Sequence, residues 1–139
     1  CSEDKEIGLN SEVAIKFQKC DVYAWPSSKQ VEILGGLHGH PNILKIFGVF
    51  CTGPCEAPSF LGAVVTQYHP AGDLAAAVAR AGPLQEQRAA AIARGIICAL
   101  AELHERGVLH RNVLPEHVLL AESGEAVLSG FKWVVREDD

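Results

Sequence analysis

The longest periodic segment of the sequence, which runs from Gln85 to Glu105, predicts an α-helix that packs into a hydrophobic core. Its large apolar side chains recur at intervals of three or four residues, at Ile92, Ile96, Leu100 and Leu103. That spacing places them on one face of a helix, and Gly107 is expected to end it. A helix with so broad an apolar stripe needs partners, so the neighbouring segments must supply the rest of a core.

The first half of the chain predicts short β-strands and one short helix. β-branched and aromatic residues, which favour strands, are concentrated in three runs. A helix is expected from about Ser28 to Leu37, because Pro26 and the serines after it favour a helix start. The predicted strands are Glu12–Phe17, Ile43–Phe50 and Leu61–Tyr68.

The second half predicts helices followed by small strands. His69–Gly72 is expected to be a linker, and Asp73 to cap a helix over Leu74–Ala81. This order of strands with one helix, then helices, then small strands indicates an α+β fold with a hinge near residue 69. The small strands are predicted at Val108–Leu109, Val118–Leu120 and Ala126–Leu128.

The composition indicates a globular domain without a nucleic-acid or membrane partner. With 139 residues, of which 48% are hydrophobic, the chain is long enough to bury a core. Its formal net charge is −5 and its basic residues are scattered, whereas nucleic acids and anionic membranes require a clustered basic face. No apolar run approaches the roughly 18 residues that span a bilayer.

The cysteines favour reduced thiols and a cytoplasmic or nuclear location. They are five in number, and an odd count argues against a disulfide framework. Cys51 and Cys55, with His38 and His40, could form a zinc site by ligand type, but incidental thiols are the preferred interpretation. The chain contains no methionine, so we expect it to be a segment of a longer protein.

Residues 109–120 carry the most informative motif, LHRNVLPEHVLL. The segment resembles the catalytic loop of eukaryotic protein kinases, whose pattern is H-R-D-L-K-P-E-N-(I/V)-L-L. The matching residues are His110, Arg111, Pro115, Glu116, Leu119 and Leu120.

Further motifs follow the family order along nearly the whole chain. Val13–Lys16 resembles the V-A-I-K strand, and residues 31–43 resemble the end of the C-helix and its following turn. Residues 64–73 resemble the fifth strand and hinge, and Ser129–Lys132 lies where the family has its D-F-G motif. The resemblance implies an α+β, protein-kinase-like partial fold, with residues 1–68 in the N-lobe and 69–139 in the hinge and C-lobe. The Gly-rich loop and the activation segment are expected outside the chain.

The resemblance also implies a nucleotide site. Lys16 would contact the α and β phosphates, although strand periodicity alone makes it an ordinary solvated lysine. Thr66 corresponds to the gatekeeper, and Gln67 and His69 belong to the hinge that receives adenine. Asp73 corresponds to a position near the ribose, with helix capping as its preferred role.

The sequence departs from the family pattern where the chemistry of phosphoryl transfer is carried out. Asn112 replaces the catalytic Asp, Leu114 replaces a Lys, His117 replaces a metal-binding Asn, and Gly130 replaces the Asp of D-F-G. An amide is not a general base, and the loss of a base typically costs about 10² to 10⁴ in rate. The C-helix Glu corresponds to Gln30, with Glu32 as the second candidate.

These substitutions predict a pseudokinase: a kinase-like interaction, scaffold or regulatory module whose partners are other proteins, such as an active kinase. ATP would bind weakly at most, and Mg²⁺ would not be held. The alternative is a divergent active kinase that transfers the γ-phosphate of ATP to a protein, with an unusual metal at His117. A third expectation is that the chain does not fold stably alone, because its long helix lacks partners from absent helices.

Overall fold

A three-stranded antiparallel sheet forms the N-terminal part of the computed structural model, which describes residues 12–20, 28–37, 39–51 and 60–138. Its strands are β1 (Val13–Cys20), β2 (Ile46–Cys51) and β3 (Phe60–Gln67), and β3 lies between the other two. Helix α1 (Ser28–Gly36) precedes β2. Its apolar residues Ile33 and Leu34 are buried.

The register of the sheet decides which side chains share a face. Lys16 lies opposite Val64, and both Ala14 and Ile46 lie opposite Thr66. Because side chains alternate along a strand, Lys16, Val64 and Thr66 therefore belong to one face. Residues on the opposite face of β1 include Ile15 and Phe17, which are exposed.

Two helices follow the sheet. Helix α2 (Leu74–Ala81) begins at Asp73, whose Oδ1 accepts a hydrogen bond from the backbone N–H of Ala76 at 2.8 Å. Helix α3 (Glu86–Glu105) buries four residues that face β6, a short strand described below, and its neighbours. The buried residues are Ile92, Ile96, Ala99 and Leu103.

Short strands complete the C-terminal part. Strand β4 (Val108–Leu109) pairs with β7 (Val135–Arg136), and β5 (Val118–Leu120) pairs with β6 (Ala126–Leu128), both antiparallel. Two single 3₁₀ turns, Pro115–His117 and Phe131–Trp133, stand on either side of the β5–β6 hairpin.

The sheet and the helical part share one hydrophobic core. Leu128 in β6 donates its backbone N–H to the Asn42 carbonyl at 2.7 Å and accepts from the N–H of Leu44 at 2.9 Å. The core cluster extends from Ile33 and Leu34 in α1 to Leu103 and Phe131. A further backbone hydrogen bond joins the Leu120 N–H to the carbonyl of Gly72, in the linker before α2, at 2.9 Å. Both parts are therefore connected by backbone hydrogen bonds as well as by apolar packing.

The predicted α+β order is confirmed, with differences at the ends of elements. β2 begins at Ile46, because Ile43 instead forms an isolated parallel bridge with Leu128. The predicted strands and helices have the predicted types, whereas the 3₁₀ turns and β7 were not anticipated. Beside the apolar stripe of α3, Ile97 is 65% exposed. Within the part of the chain that the structure describes, no helix combines the length and apolar character needed to cross a bilayer.

Candidate functional site

A cavity of about 310 Å³ lies between the sheet and the segments on either side of the β5–β6 hairpin. The sheet and the segment leading into β2 contribute Lys16, Leu44, Ile46, Val64 and Thr66 to its lining. The facing wall comes from the two segments that flank this hairpin. It includes Asn112, Glu116, His117, Leu119 and the run from Ser129 to Lys132. We refer to this cavity as the cleft.

The loop that carries Asn112 is held in a constrained backbone conformation. Arg111 has φ = 62°, and it is the non-glycine residue with positive φ among the described residues. Such a conformation is uncommon for a non-glycine residue and is retained only when its surroundings enforce it. The Arg111 side chain supplies part of that support, because its Nε donates to the Trp133 carbonyl at 2.8 Å.

His110 is the buried anchor of the same loop, with 2% of its surface exposed. Its Nε2 donates to the Ser129 carbonyl at 2.8 Å, and its Nδ1 accepts from the N–H of Asn112 at 3.3 Å. Its ring meets that of Phe131 edge-on, with the centroids 5.2 Å apart. Burial lowers the pKa of His110; the hydrogen bond to Ser129 opposes this, and the charge of nearby His117 adds to the lowering. The neutral ring therefore ties the loop to the segment after β6.

His117 and Gly130 meet at the floor of the cleft. The Nδ1 of His117 donates to the Asn112 carbonyl at 2.9 Å. The His117 carbonyl accepts from the Ser129 N–H at 2.8 Å and from the Ser129 hydroxyl at 3.0 Å. Gly130 has φ = 80°, and a Cβ at this position would lie 2.2 Å from Cγ of His117. The imidazole thus occupies the space in which a side chain at residue 130 would begin.

The described lining of the cleft contains more basic than acidic residues. Among the described lining residues, Glu116 supplies the carboxylate, whereas Lys16 and Lys132 supply two ammonium groups. Asn112 offers an uncharged amide, and Gly130 offers no side chain. Mg²⁺ takes hard oxygen ligands in octahedral geometry, and among the described lining residues Glu116 is the one that carries a carboxylate.

The hinge residues lie apart from the cleft. Gln67 and His69 line a different cavity of about 530 Å³, together with Glu12, Lys45 and others. The Gln67 N–H donates to the Lys45 carbonyl at 2.9 Å, and the His69 carbonyl accepts from Gly72 at 3.1 Å. Among the described residues, no hydrogen-bond partner faces the buried Nε2 of His69. Burial also lowers the pKa of His69.

Comparison with known proteins identifies the family. The family model described as "Protein kinase domain" matches residues 3–134. The chain belongs to the protein kinase family. This finding confirms the resemblance and the kinase-like α+β fold that the motifs predicted.

Individual kinases match over about three quarters of the chain. It is 35% identical to Aurora kinase C of Mus musculus over 107 residues, which are 77% of this chain and 36% of that protein. It is 31% identical to the serine/threonine-protein kinase PEPKR2 of Arabidopsis thaliana over 108 residues, 78% of this chain and 22% of that protein. Aurora kinase B of Danio rerio is 33% identical over 107 residues, 77% of this chain and 31% of that protein. The chain thus spans about a third or less of these relatives.

The structure brings some of the predicted site residues together and leaves others apart. The structure brings together Lys16, Thr66 and Asn112, with His117 and Gly130 opposite the sheet. Asp73 lies outside the cleft lining and caps α2, as its preferred role predicted. The nucleotide contacts of Lys16, Thr66, Gln67, His69 and Asp73 stay predictions.

Two residues of α1, Gln30 and Glu32, remain candidates for the C-helix partner of Lys16. Gln30 lies in the first turn, and its side chain is outside the described set. The Oε1 of Glu32 accepts from the Arg136 guanidinium at 3.1 Å. That contact joins α1 to β7 on an exposed surface.

The zinc alternative also stays a prediction, because His38 and Cys55 are outside the described residues, as is the Cys51 side chain. The remaining candidate, His40, uses its Nδ1 to accept from the Asn42 N–H at 3.2 Å.

Sequence reasoning missed Lys132 as a residue of the cleft. Lys132 stands where the D-F-G motif of the family has its glycine. This replacement of glycine by a basic residue is visible in the sequence alone. Glu116 had been noted only as a matching motif residue. Its position in the lining depends on the 3₁₀ turn of Pro115–His117, which the sequence pattern did not predict.

Proposed function

We propose that this kinase domain acts as a pseudokinase: an interaction, scaffold or regulatory module that does not transfer phosphate. The observation that carries the proposal is the chemistry of the cleft wall. Phosphoryl transfer needs a group that accepts or orients the proton of the attacking hydroxyl and carboxylates that hold Mg²⁺. Residue 112 is an amide, and residue 130 has no side chain.

One acidic residue, Glu116, remains among the described residues of the lining. Glu116 lies in the 3₁₀ turn Pro115–His117, which also carries His117. Catalytic groups that act together lose most of their effect when one is removed. With both the proton acceptor and the metal carboxylate gone, we expect a loss at least as large as the roughly 10² to 10⁴ of a single missing base.

The architecture around the cleft is retained, and this supports a role based on shape. His110 still links the loop to Ser129 and Phe131, and Arg111 still contacts the Trp133 carbonyl. Partners are proposed to be other proteins, such as an active kinase. The net charge of −5 and the scattered basic residues give no reason to propose nucleic acid or a membrane surface.

A phosphoryl-transfer assay tests the proposal on the full-length protein. With radiolabelled ATP and Mg²⁺, a general protein substrate should gain no more label than with the Lys16→Ala variant. Asn112→Ala serves as the matched control at the loop, and it should change nothing. Mg²⁺-dependent transfer that Lys16→Ala abolishes would refute the proposal and establish the alternative of a divergent active kinase.

A further inference from the structure

The His117 ring occupies the space that a Cβ of residue 130 would enter. The nearest atom to a Cβ built at residue 130 is Cγ of His117, at 2.2 Å, and Cδ2 and Nδ1 both follow at 2.6 Å. Real Cβ atoms do not approach other atoms within 3.0 Å. A side chain at residue 130 and the present ring position therefore exclude each other.

The ring cannot move aside without losing contacts. Cγ is the first ring atom, so relieving the clash requires rotation about the Cα–Cβ bond. That rotation would break the hydrogen bond from Nδ1 to the Asn112 carbonyl at 2.9 Å. The backbone of His117 is itself held by the Ser129 N–H and hydroxyl. The imidazole is a fixed part of the cleft floor.

The hydrogen bond to Asn112 also determines what the ring offers to a ligand. A carbonyl only accepts, so Nδ1 carries the proton, and Nε2 is left as an acceptor in the neutral ring and a donor in the protonated ring. The cleft lining includes two basic residues, Lys16 and Lys132, and one acidic residue, Glu116. This balance of charges favours an anionic ligand, and the present position of the His117 ring leaves no room for a side chain that would carry a carboxylate at residue 130.

We propose that the cleft binds a phosphate-bearing ligand without a divalent cation, and that His117 determines this specificity by filling the side-chain space of residue 130. The inference rests on the proposed function, because it assigns a ligand class to the same non-catalytic cleft. Lys16 and Lys132 are the cations that would face the phosphates. Loss of the carboxylate at residue 130 and gain of the imidazole at residue 117 are then one coupled change.

Ligand-induced thermal stabilisation of the full-length protein tests the proposal. For the wild type, ATP with EDTA should raise the unfolding temperature at least as much as ATP with Mg²⁺, and adenosine should raise it less than either. Lys132→Ala should reduce the ATP shift by more than half and leave the adenosine shift unchanged. No stabilisation by ATP, or stabilisation only with Mg²⁺, would overturn the inference.

Two variants distinguish the effect of the His117 ring on Mg²⁺ dependence from the effect of the missing carboxylate at residue 130. In His117→Asn/Gly130→Asp the ATP shift should become larger with Mg²⁺ than with EDTA, whereas Gly130→Asp alone should show no such gain. If the single variant gains the Mg²⁺ dependence as fully as the double variant, the ring is no obstacle and the proposal fails. If the double variant folds but gains none, the proposal also fails.

A cycle of small substitutions keeps the steric claim testable if those variants do not fold. Gly130→Ala should lower the unfolding temperature of the wild type by roughly 4 °C or more, and by less than half as much in a His117→Ala background. The strain of a Cβ at positive φ is present in both backgrounds and cancels in the comparison. Equal losses in both backgrounds would contradict the coupling.

The outcomes for the inference and for the proposed function are distinct. Mg²⁺-dependent phosphoryl transfer would refute the pseudokinase proposal whatever the ATP shift. No transfer together with no ATP stabilisation would leave the pseudokinase proposal standing and overturn the metal-free ligand alone.

Discussion

At the scale of single residues, His110 is a residue of the kinase-like motif whose role is structural because it is buried. Its ring is enclosed, and its two nitrogens are both used, one as a donor to Ser129 and one as an acceptor from Asn112. This pattern requires the neutral ring with its proton on Nε2. Protonation would place a second donor against the Asn112 N–H, so acid should act directly on the loop.

The first prediction follows from the lowered pKa of His110, which burial causes first and the charge of His117 assists. Below the ordinary value of 6.5, the unfolded chain takes up a proton at this residue before the folded chain does. The stabilisation is therefore complete above about pH 6.5 and is lost as the pH falls toward the lower folded pKa. The free energy of unfolding should decrease between pH 7.5 and 5.5 when measured by urea titration.

The variant His110→Gln should make that decrease smaller, because Gln keeps polar atoms but does not titrate. Part of the slope should remain, since burial lowers the pKa of His69 in the same direction. His104→Gln, at an exposed position of α3, is the control and should keep the wild-type slope. A full wild-type slope in His110→Gln would contradict the assignment to His110.

At the scale of elements, the contact between α3 and β6 depends on a glycine inside the helix. A Cβ at Gly95 would lie 2.9 Å from Nδ2 of Asn42 and 3.5 Å from the Ala126 carbonyl. The same Nδ2 donates to that carbonyl at 2.7 Å. Gly95 therefore lets the helix approach a hydrogen bond that joins the loop before β2 to β6.

The second prediction is that two glycines in helices, Gly35 and Gly95, respond in opposite directions to substitution by alanine. Gly35 in α1 has no atom within 4 Å of a built Cβ, so Gly35→Ala should stabilise the protein by about 0.5–1 kcal/mol through helix propensity. At Gly95 the same gain is opposed by displacement of Asn42, and overpacking typically costs about 1–3 kcal/mol. Gly95→Ala should therefore destabilise.

Chemical denaturation measures both effects at pH 7.5. Gly35→Ala is the matched control, because it makes the same chemical change in a helix without the neighbour. Asn42→Ala in combination with Gly95→Ala should recover part of the loss. Stabilisation by Gly95→Ala alone would mean that Asn42 moves without cost, and the close approach would have no energetic role.

At the scale of the whole molecule, Leu128 connects the sheet part to the helical part. Its side chain is fully buried, and its backbone bonds to both Asn42 and Leu44. The hinge near residue 69 stays a prediction, and the shared core makes the two parts depend on each other. Four apolar residues of α3 are buried within the described chain, whereas Ile97 is exposed.

The third prediction is that Leu128→Ala weakens both parts together. A buried Leu→Ala change costs about 2–5 kcal/mol, and the loss should be global. Hydrogen exchange should show a similar fall in protection at Val64 in β3 and at Ile96 in α3. Leu84→Ala, at an exposed leucine, is the control and should change neither.

Unchanged protection in β3 would show that the two parts unfold independently. The same measurements on the isolated chain bear on the expectation that it does not fold alone. A single cooperative transition of the wild-type chain would contradict that expectation, because the described core would then suffice without further helices.

The sequence by itself determined the local elements and the family. The spacing of apolar residues specified α3, Asp73 specified the start of α2, and the motif letters specified a kinase loop without its acid. These features depend on neighbouring residues, which the sequence displays directly. The ends of β2 and the 3₁₀ turn at Pro115–His117 were less predictable, because pairing with distant segments decides them.

Only the tertiary structure decided which residues share the cleft. It placed the His117 ring where a side chain of Gly130 would begin, added Lys132 and Glu116 to the lining, and put Gln67 and His69 beside another cavity. Each of these relations joins segments that are far apart in sequence or depends on a side-chain rotamer. Such positions are set by packing against the whole core. The absence of a carboxylate at residues 112 and 130 could therefore be read from the sequence, whereas the position of the His117 ring beside Gly130 could not.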